Sequence, residues 1–347
     1  MSSKQDIRAL SLEDLKSFFT EHNLQAFRAK QVYQWLWQKG AHNFSEMTNL
    51  SKEVRSLLEE TFSINHIAID QQQRSTDGTI KNAVKLHDNL VVESVLIPTA
   101  SRTTACVSSQ VGCSLDCTFC ATAQLKRMRN LNPDEIYDQV VAIDRQSQLY
   151  FHRPLSNIVF MGMGEPLMNY KNVLAAIEKI TSADALGMSP KRITLSTSGI
   201  PKMIQKLADE QVKFQLAVSL HSARQQVREQ IMPFAENFPL ESLLEALQYW
   251  YQKTKKRITF EYVIWKGVND TPEDIQALVR FCKQVPSKVN LIQYNSIGDP
   301  KFQQAPEHSI QAYVEALEAA SIVVTIRRSR GEDIDAACGQ LANKTLQ

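Results

Sequence analysis

The sequence predicts a parallel α/β fold preceded by a small helical module, and three observations carry the prediction. From about residue 130 onward, short runs rich in β-branched residues alternate with amphipathic stretches about six times. Residues 1–64 show helical periodicity instead, and residues 66–110 alternate in the manner of strands. At 347 residues the chain is long enough for one large domain plus a smaller one, since domains commonly run to ~100–200 residues.

In the helical module, Ser11 opens SLEDLKSFF as a capping residue with Asp14 three positions on. FRAKQVYQWLWQKG places Phe27, Val32, Trp35 and Leu36 near one face before Gly40 stops the helix. VVESVLIP and TTACVSSQV read as strands leading into the larger domain. There, NPDEIYDQVVAIDRQ is expected to form a helix capped by Asn132, with Pro133 in its first turn and Ile136, Val140 and Ile143 on one face. The expected strands that follow are NIVFMGM (157–163), KRITLSTSG (191–199), FQLAVSLH (214–221), RITFEYVIW (257–265), VNLIQYN (289–295) and IVVTIRR (322–328). In DIQALVRFCKQV, Ile275, Leu278 and Cys282 recur at helical spacing, which assigns Cys282 to the core. Functional groups of parallel α/β folds gather at the carboxyl ends of the strands. Here those ends carry GEP, STSG, SLH and YN.

Composition narrows the function classes. The sequence has no apolar run of the ~18–20 residues that a membrane span requires, and MSSKQDIRAL lacks the pattern of a secretory signal; the expected address is the cytoplasm. A net charge of +2 does not by itself imply a nucleic-acid partner, which has to be argued from local patches. Six cysteines in so long a chain are too few for a disulfide scaffold, so their clustering points to metal binding or catalysis.

Four of the six lie within ACVSSQVGCSLDCTFCAT, and three of those, Cys113, Cys117 and Cys120, are spaced C-x3-C-x2-C. Short spacings of this kind supply thiolates to iron-sulfur clusters. A structural zinc ion is the alternative, but it wants four closed ligands, and no second cysteine pair or nearby histidine provides the fourth. Three ligands leave one iron of a four-iron cluster open to something other than protein. On the residues alone, Cys106 reads as a possible fourth ligand, Cys338 in DAACGQL as a buried small residue, and Glu93 as a charge on the exposed face of a strand. GMGEP superficially resembles a phosphate loop but lacks its spacing.

The run Cys113, Cys117, Phe119, Cys120 resembles the cluster loop of the radical S-adenosylmethionine superfamily. With GMGEP (162–166), STSG (196–199), VSLH (218–221), FRAKQVYQWLWQKG and RGEDIDAACGQL, nearly the whole chain resembles the RlmN/Cfr family of RNA adenine methyltransferases, in its adenine-C2 branch. After Cys120 the chain reads ATAQLKRMRNL, where many relatives carry a glycine-rich turn.

The resemblance implies a partial (β/α)6 radical-SAM barrel with a small N-terminal helical domain. It divides the chain into an RNA-binding helical domain (1–64), a β-rich connector (65–98), the radical core (99–335) and a C-terminal segment (336–347). It implies a [4Fe-4S] cluster on Cys113, Cys117 and Cys120, whose open iron binds the amino and carboxylate groups of S-adenosylmethionine. Gly164, Glu165, Ser196, Ser219, His221 and Asn295 fall at cofactor-binding positions. Cys338 is implied to be the methyl carrier, Cys106 the thiol that resolves the adduct through a disulfide, and Glu93 the general base. The implied substrates are 23S rRNA and tRNA, at the adenine next to the anticodon. The implied partners also include a reductant protein such as flavodoxin or ferredoxin, the enzyme acting as a monomer. C8 methylation by the resistance branch, and an iron-sulfur or zinc protein that binds RNA without turnover, are the alternatives. Two basic runs, Lys126, Arg127 and Arg129 after the cluster loop and Arg327, Arg328 and Arg330 before Cys338, are expected to meet phosphates. Arg28, Lys30 and Lys39 give the helical module a cationic side of its own.

Overall fold

A computed structural model describes residues 4–343. Three helices, α1 (Leu12–Glu21), α2 (Arg28–Gln34) and α3 (Lys52–Thr61), form the N-terminal module. Ser11 and Asp14 close a reciprocal capping box at the start of α1. α2 runs on as a π turn through Trp35–Lys39 and stops at Gly40, whose φ of 65° is left-handed. Val32, Leu36 and Trp37 are buried here with Leu15, Phe19 and Leu58. Phe27 departs from the expected face: it lies before the first helical residue and is 56% exposed.

The rest of the chain builds one ten-stranded sheet whose spatial order follows the chain order. Strands β1 (Ala68–Arg74), β2 (Ile80–Lys85) and β3 (Val91–Pro98) form an antiparallel meander. β3 also pairs antiparallel with β4 (Thr103–Cys106). From β4 onward the pairings within this sheet are parallel: β5 (Asn157–Phe160), β6 (Ile193–Thr197), β7 (Gln215–Ser219), β8 (Ile258–Val263), β9 (Ser287–Ile292) and β10 (Val323–Arg327). The parallel set therefore has seven strands, the first of them, β4, lying ahead of the six expected from residue 157 onward.

Helices cross over between the parallel strands, as parallel pairing demands. They are α4 (Pro133–Phe151), α5 (Tyr170–Thr181), α6 (Pro201–Asp209), α7 (Gln225–Ile231), α8 (Leu240–Thr254), α9 (Pro272–Cys282) and α10 (Glu307–Ala319). Asn132, Pro133 and Glu135 start α4 as a capping box, and Ile136, Val140 and Ile143 are fully buried. Cys282 is buried in α9 as its spacing predicts. No helix among the described residues is long and apolar enough to cross a membrane.

The strands alternate in what they bury. Ile158, Phe160, Leu195, Leu216, Val218, Phe260, Tyr262, Val289 and Leu291 are at most 2% exposed and belong to the apolar core. Their neighbours along each strand, among them Met161, Thr194, Ser196, Thr259, Glu261, Asn290 and Arg327, line cavities inside the curved sheet. The sheet has free edges at β10 and β1, so the barrel is partial.

One buried charge cluster ties the helical module to the core. The Arg8 guanidinium bonds Asp138 at 2.8 and 3.0 Å and Asp134 at 3.1 Å, both on α4, and also reaches the Asn65 carbonyl. Beside it, Trp37 meets Tyr137 edge-on at 5.1 Å. Burial pushes Asp134 up from 3.8 to about 6 against the pull of Arg8.

Arg8→Ala leaves two carboxylates facing each other without their cation, and removing one partner of a buried pair costs about 3–5 kcal/mol. A carboxyl raised in the folded state takes up its proton there first, so its contribution favours the fold at low pH and is lost as pH climbs from 3.8 through about 6. The variant is expected to unfold at lower temperature, more so at about pH 8 than at about pH 5. Thermal melts at the two pH values check this, and an equal loss at both would count against the cluster.

Candidate active site

Two cavities fill the inside of the partial barrel and share a wall. The first lies at the carboxyl ends of the strands and is lined by Cys113, Cys117 and Cys120 on the loop that follows β4. That loop is fastened at both flanks. Thr118 donates from its N–H (3.0 Å) and its hydroxyl (3.1 Å) to the Ile231 carbonyl, and the Phe234 N–H donates to Asp116 at 3.0 Å. On the other side the Ala121 N–H donates to the Gly339 carbonyl (2.7 Å) and the Thr122 hydroxyl to the Leu341 carbonyl (2.6 Å), so the loop grips the tail that carries Cys338. Phe119, the aromatic residue inside the cysteine motif, packs edge-on against His221 and tilted against Trp265, each at 4.9 Å. Cys113, Cys117 and Phe119 also pack on an apolar cluster that includes Leu115, Met232, Phe234, Trp265 and Phe302.

The electrostatics describe what the three sulfurs require. Burial pushes Cys113 up to about 12 and drives Cys117 and Cys120 up as well, with the neighbouring thiolates adding to the rise. Three sulfurs in so poorly hydrated a place stay protonated unless a metal cation compensates them. Among the described residues, no three His, Cys, Asp or Glu side chains gather as ligands of a single metal ion. Three thiols on one cavity wall, with no other cysteine or histidine in the lining except His221 and Cys338, suit a cluster that takes three protein sulfurs. The donor set thus fits an iron-sulfur cluster.

The other expected cofactor positions surround the same cavity: Gly164, Glu165, Ser196, Ser219, His221 and Asn295. Gly164 has φ of 96°, and a Cβ there would meet the Gln110 Cβ at 2.5 Å and the Gln110 backbone nitrogen at 2.8 Å. The Glu165 carboxylate accepts from the Leu167 N–H (2.9 Å) and the Ser198 N–H (2.8 Å), while burial raises its pKa. His221 sits at φ 55° and accepts the Val263 N–H on Nδ1, which puts its proton on Nε2; burial pulls it down to about 3, so it is neutral. Asn295 donates to the Cys338 carbonyl at 3.2 Å, and its buried Oδ1 has no partner among the described residues. Such an orphaned acceptor in a cavity wall fits a hydrogen-bond donor of a bound ligand.

Cys338 lines both cavities, and Cys106 lines the second with it. Arg327 and Glu261 stand in the shared wall, 3.7 Å apart. Burial pushes Cys106 up to about 12 and Cys338 adds to the rise, while Arg327 opposes it; Arg327 is itself raised, chiefly by Cys338. All six cysteines are free in this structure.

Glu93 lies elsewhere. It is fully buried, which overturns its reading as an exposed strand charge. One carboxylate oxygen accepts the N–H groups of Ala342 (2.8 Å) and Asn343 (3.1 Å), the other lies 3.3 Å from the Lys81 ammonium, and it lines neither cavity. The basic runs are also redistributed. Arg129 is taken up by Asp88 and Glu135, and Arg327 faces inward. Sequence reasoning passed over Arg228, a buried cation on α7 that donates to the Ser198 carbonyl at 2.6 Å and acts electrostatically on Cys117. It also passed over Glu261, because FEYVIW reads as one strand among several.

Comparison with known proteins agrees with this arrangement. Residues 5–64 match the ribosomal RNA large subunit methyltransferase N-terminal domain, and residues 107–282 match the radical SAM superfamily. The chain is 71% identical over 342 residues to a Christiangramia forsetii protein named probable dual-specificity RNA methyltransferase RlmN, covering 99% of this chain and 97% of that one. A Flavobacterium johnsoniae protein of the same name is 69% identical, with 99% of each chain covered. The crystal structure of a radical SAM methyltransferase from Sphaerobacter thermophilus superposes with a TM-score of 0.90 at 35% identity, covering 97% of this chain and 99% of that one.

Gly164→Ala is expected to push Gln110 off its backbone and weaken S-adenosylmethionine binding by at least about tenfold. Gly267→Ala is the control, since Gly267 also has positive φ but has no atom within 4 Å of its Cβ position. Equilibrium dialysis of both variants checks the difference, and equal affinities would show that close approach at Gly164 is immaterial.

Proposed function

We propose, for a chain that belongs to the RlmN family of radical S-adenosylmethionine RNA methyltransferases, that it methylates C2 of adenine in 23S rRNA and in tRNA at the adenine next to the anticodon. The observation that carries this reading is the position of Cys338, in the wall between a cavity lined by three cluster-type cysteines and a second cavity that also holds Cys106. A carrier thiol for a radical methyl transfer has to face the methyl donor on one side and the RNA base on the other.

Adenine C2 lies between two ring nitrogens and is electron-poor, so an electrophilic sulfonium methyl is mismatched to it. Cys113, Cys117 and Cys120 would hold an iron-sulfur cluster, which would supply the one-electron chemistry that splits S-adenosylmethionine. The remaining work falls to the chain. Ser196, Ser219, His221 and Asn295 offer hydrogen bonds to the cofactor's polar atoms, and Gly164 and Glu165 present the GMGEP turn to it. Cys338 first accepts a methyl group as a nucleophile. After hydrogen abstraction the carbon attached to its sulfur bonds to C2, and the adduct gives up the C2 proton together with its odd electron, which the oxidised cluster would take back. Cys106 then attacks the Cys338 sulfur: the S–S bond forms, the carbon–sulfur pair leaves with carbon, and that carbon takes a proton to become the methyl group. The disulfide is thus a turnover state, re-reduced before the next cycle. Glu93 serves in this proposal as the base that receives the C2 proton.

The second cavity gives the base its route in. Its lining includes four exposed cations, Arg102, Lys288, Arg328 and Arg330, which suits a polyanion. Phosphate contacts there would position the RNA while the flipped adenine enters. We assign the enzyme to the cytoplasm, where both RNAs are found, and regard it as a monomer supplied with electrons by a flavodoxin or ferredoxin. The helical module is the accessory RNA-binding domain of this proposal, with Lys30 and Lys39 exposed.

RNA from a strain lacking the protein is expected to lose 2-methyladenosine, as read by nucleoside mass spectrometry against retention standards. Full retention would refute the C2 reading. In the purified enzyme, Cys338→Ala is expected to transfer no methyl group, whereas Cys106→Ala is expected to trap a covalent protein–RNA adduct visible as a gel shift. Multiple turnover by Cys106→Ala would remove Cys106 from the mechanism.

A further inference from the structure

The face outside the cluster loop carries a patch that none of the steps above uses. The chain leaves Cys120, makes a short turn and returns beside the start of its own loop, where Gln110–Val111 pairs antiparallel with Arg129–Asn130. The Met128 N–H donates to the Val111 carbonyl at 2.9 Å. At Gly112, a Cβ would lie 2.6 Å from the Lys126 carbonyl oxygen and 2.9 Å from the Arg127 Cα. Residues 126–128 therefore press on the backbone next to Cys113, the first cluster ligand.

Their side chains point a different way. Lys126 and Arg127 are exposed, and no ion pair engages either among the described residues. Met128 is 55% exposed and Met168 is 47% exposed. The Asn130 amide bonds the Met168 carbonyl at 3.3 Å and ties the two methionine segments together. None of the four lines either cavity. Two exposed cations, one of which, Arg127, also donates to the Asn130 amide oxygen at 3.3 Å, stand beside two exposed methionines and form a small surface that is both adaptable and positively charged.

We propose that Lys126, Arg127, Met128 and Met168 form the docking face for an acidic one-electron donor protein of the flavodoxin or ferredoxin class. The proposal rests on the radical reading, in which a buried cluster takes one electron for each S-adenosylmethionine cleaved. The donor loses that electron and is reloaded by its own reductase. Electron tunnelling weakens steeply with distance, so the donor must dock where little protein separates it from the cluster. The 126–128 segment, packed on the residue before Cys113, meets that condition. Complementary charge steers a short-lived complex, and methionine adapts to a partner that must come and go. RNA is the competing occupant, but the four exposed cations that suit phosphates rim the other cavity, and thioethers offer phosphate no hydrogen bond.

The test compares the reconstituted wild-type enzyme with Lys126→Glu/Arg127→Glu and with Met128→Asp, reading 5'-deoxyadenosine formation under two electron supplies. With flavodoxin, its reductase and NADPH, the KM for flavodoxin is expected to rise about tenfold in the charge-reversal variant. With dithionite, a small reductant that needs no docking face, both variants should match the wild type, and RNA affinity should be unchanged. Unchanged flavodoxin kinetics would overturn the proposal, as would an equal loss under both supplies or a weakened RNA affinity with normal flavodoxin KM. Wild-type enzyme that fails to cleave S-adenosylmethionine even with dithionite would overturn the radical reading, and this proposal with it.

Discussion

The period-two geometry of a strand is the constraint on which the rest of the molecule depends. Each parallel strand has helices on one face and an open interior on the other, so alternate residues must satisfy opposite solvents. β8 shows the division most clearly. Ile258, Phe260 and Tyr262 are fully buried in the apolar core, while Thr259, Glu261 and Val263 line the cavities. A shift of register by one residue would put Glu261 under a helix and Phe260 in the cofactor space. The same alternation on β4, β5 and β10 brings Cys106, Met161 and Arg327 to one interior wall from strands far apart in sequence. Chemistry in this protein is therefore a by-product of how the sheet is solvated.

Capping rules made several elements readable in advance. Ser11 with Asp14, and Asn132 with Pro133 and Glu135, are local signals, and the bonds they foretell are present. The cysteine spacing was readable because all three ligands sit on one loop. Phe27 escaped the periodicity because it precedes the helix whose face it seemed to share. Glu93 was opaque for a tertiary reason. Strand β3 is buried on both faces along most of its length, and one of the groups that covers Glu93 is a tail some 250 positions away. Arg129 and Arg327 looked like surface cations because Asp88 and Glu261, which pair with them, come from distant segments. Strand β4 lies in TTACVSSQV, which reads as a strand leading into the larger domain, but its parallel pairing with β5 is a tertiary fact that the run itself does not carry.

The C-terminal tail joins these two kinds of information. It has one short 3-10 turn, Glu332–Ile334, and left-handed residues at Gly331, Asp335 and Gly339. A Cβ at Gly331 would meet Thr79, just ahead of β2, and Ala336 of the tail itself at 2.8 Å, so the turn into the tail is tightly packed. Beyond it, the tail is held by hydrogen bonds from several elements: Ala121 and Thr122 on the cluster loop, Asn295 beyond β9, and Glu93 on β3. Gln340 adds a bond to the Ser296 carbonyl at 3.1 Å.

This mode of attachment bears on how one thiol can serve two cavities. A segment seated by apolar packing over a large area moves only by losing much of that burial at once, which is costly. A segment held by separate hydrogen bonds can exchange them one at a time with water or with neighbouring groups, at about 1 kcal/mol net for each neutral bond. Cys338 sits between Ala337, which is buried, and Gly339, whose Cβ position meets only the Phe119 carbonyl at 3.6 Å. Small neighbours leave room for its sulfur to swing between the cofactor side and the Cys106 side. The anchors at residues 339, 341 and 342 keep that swing short. Under the proposed mechanism a carrier built in this way would need no domain motion, since the residue in the wall between the two cavities would take part in both reactions.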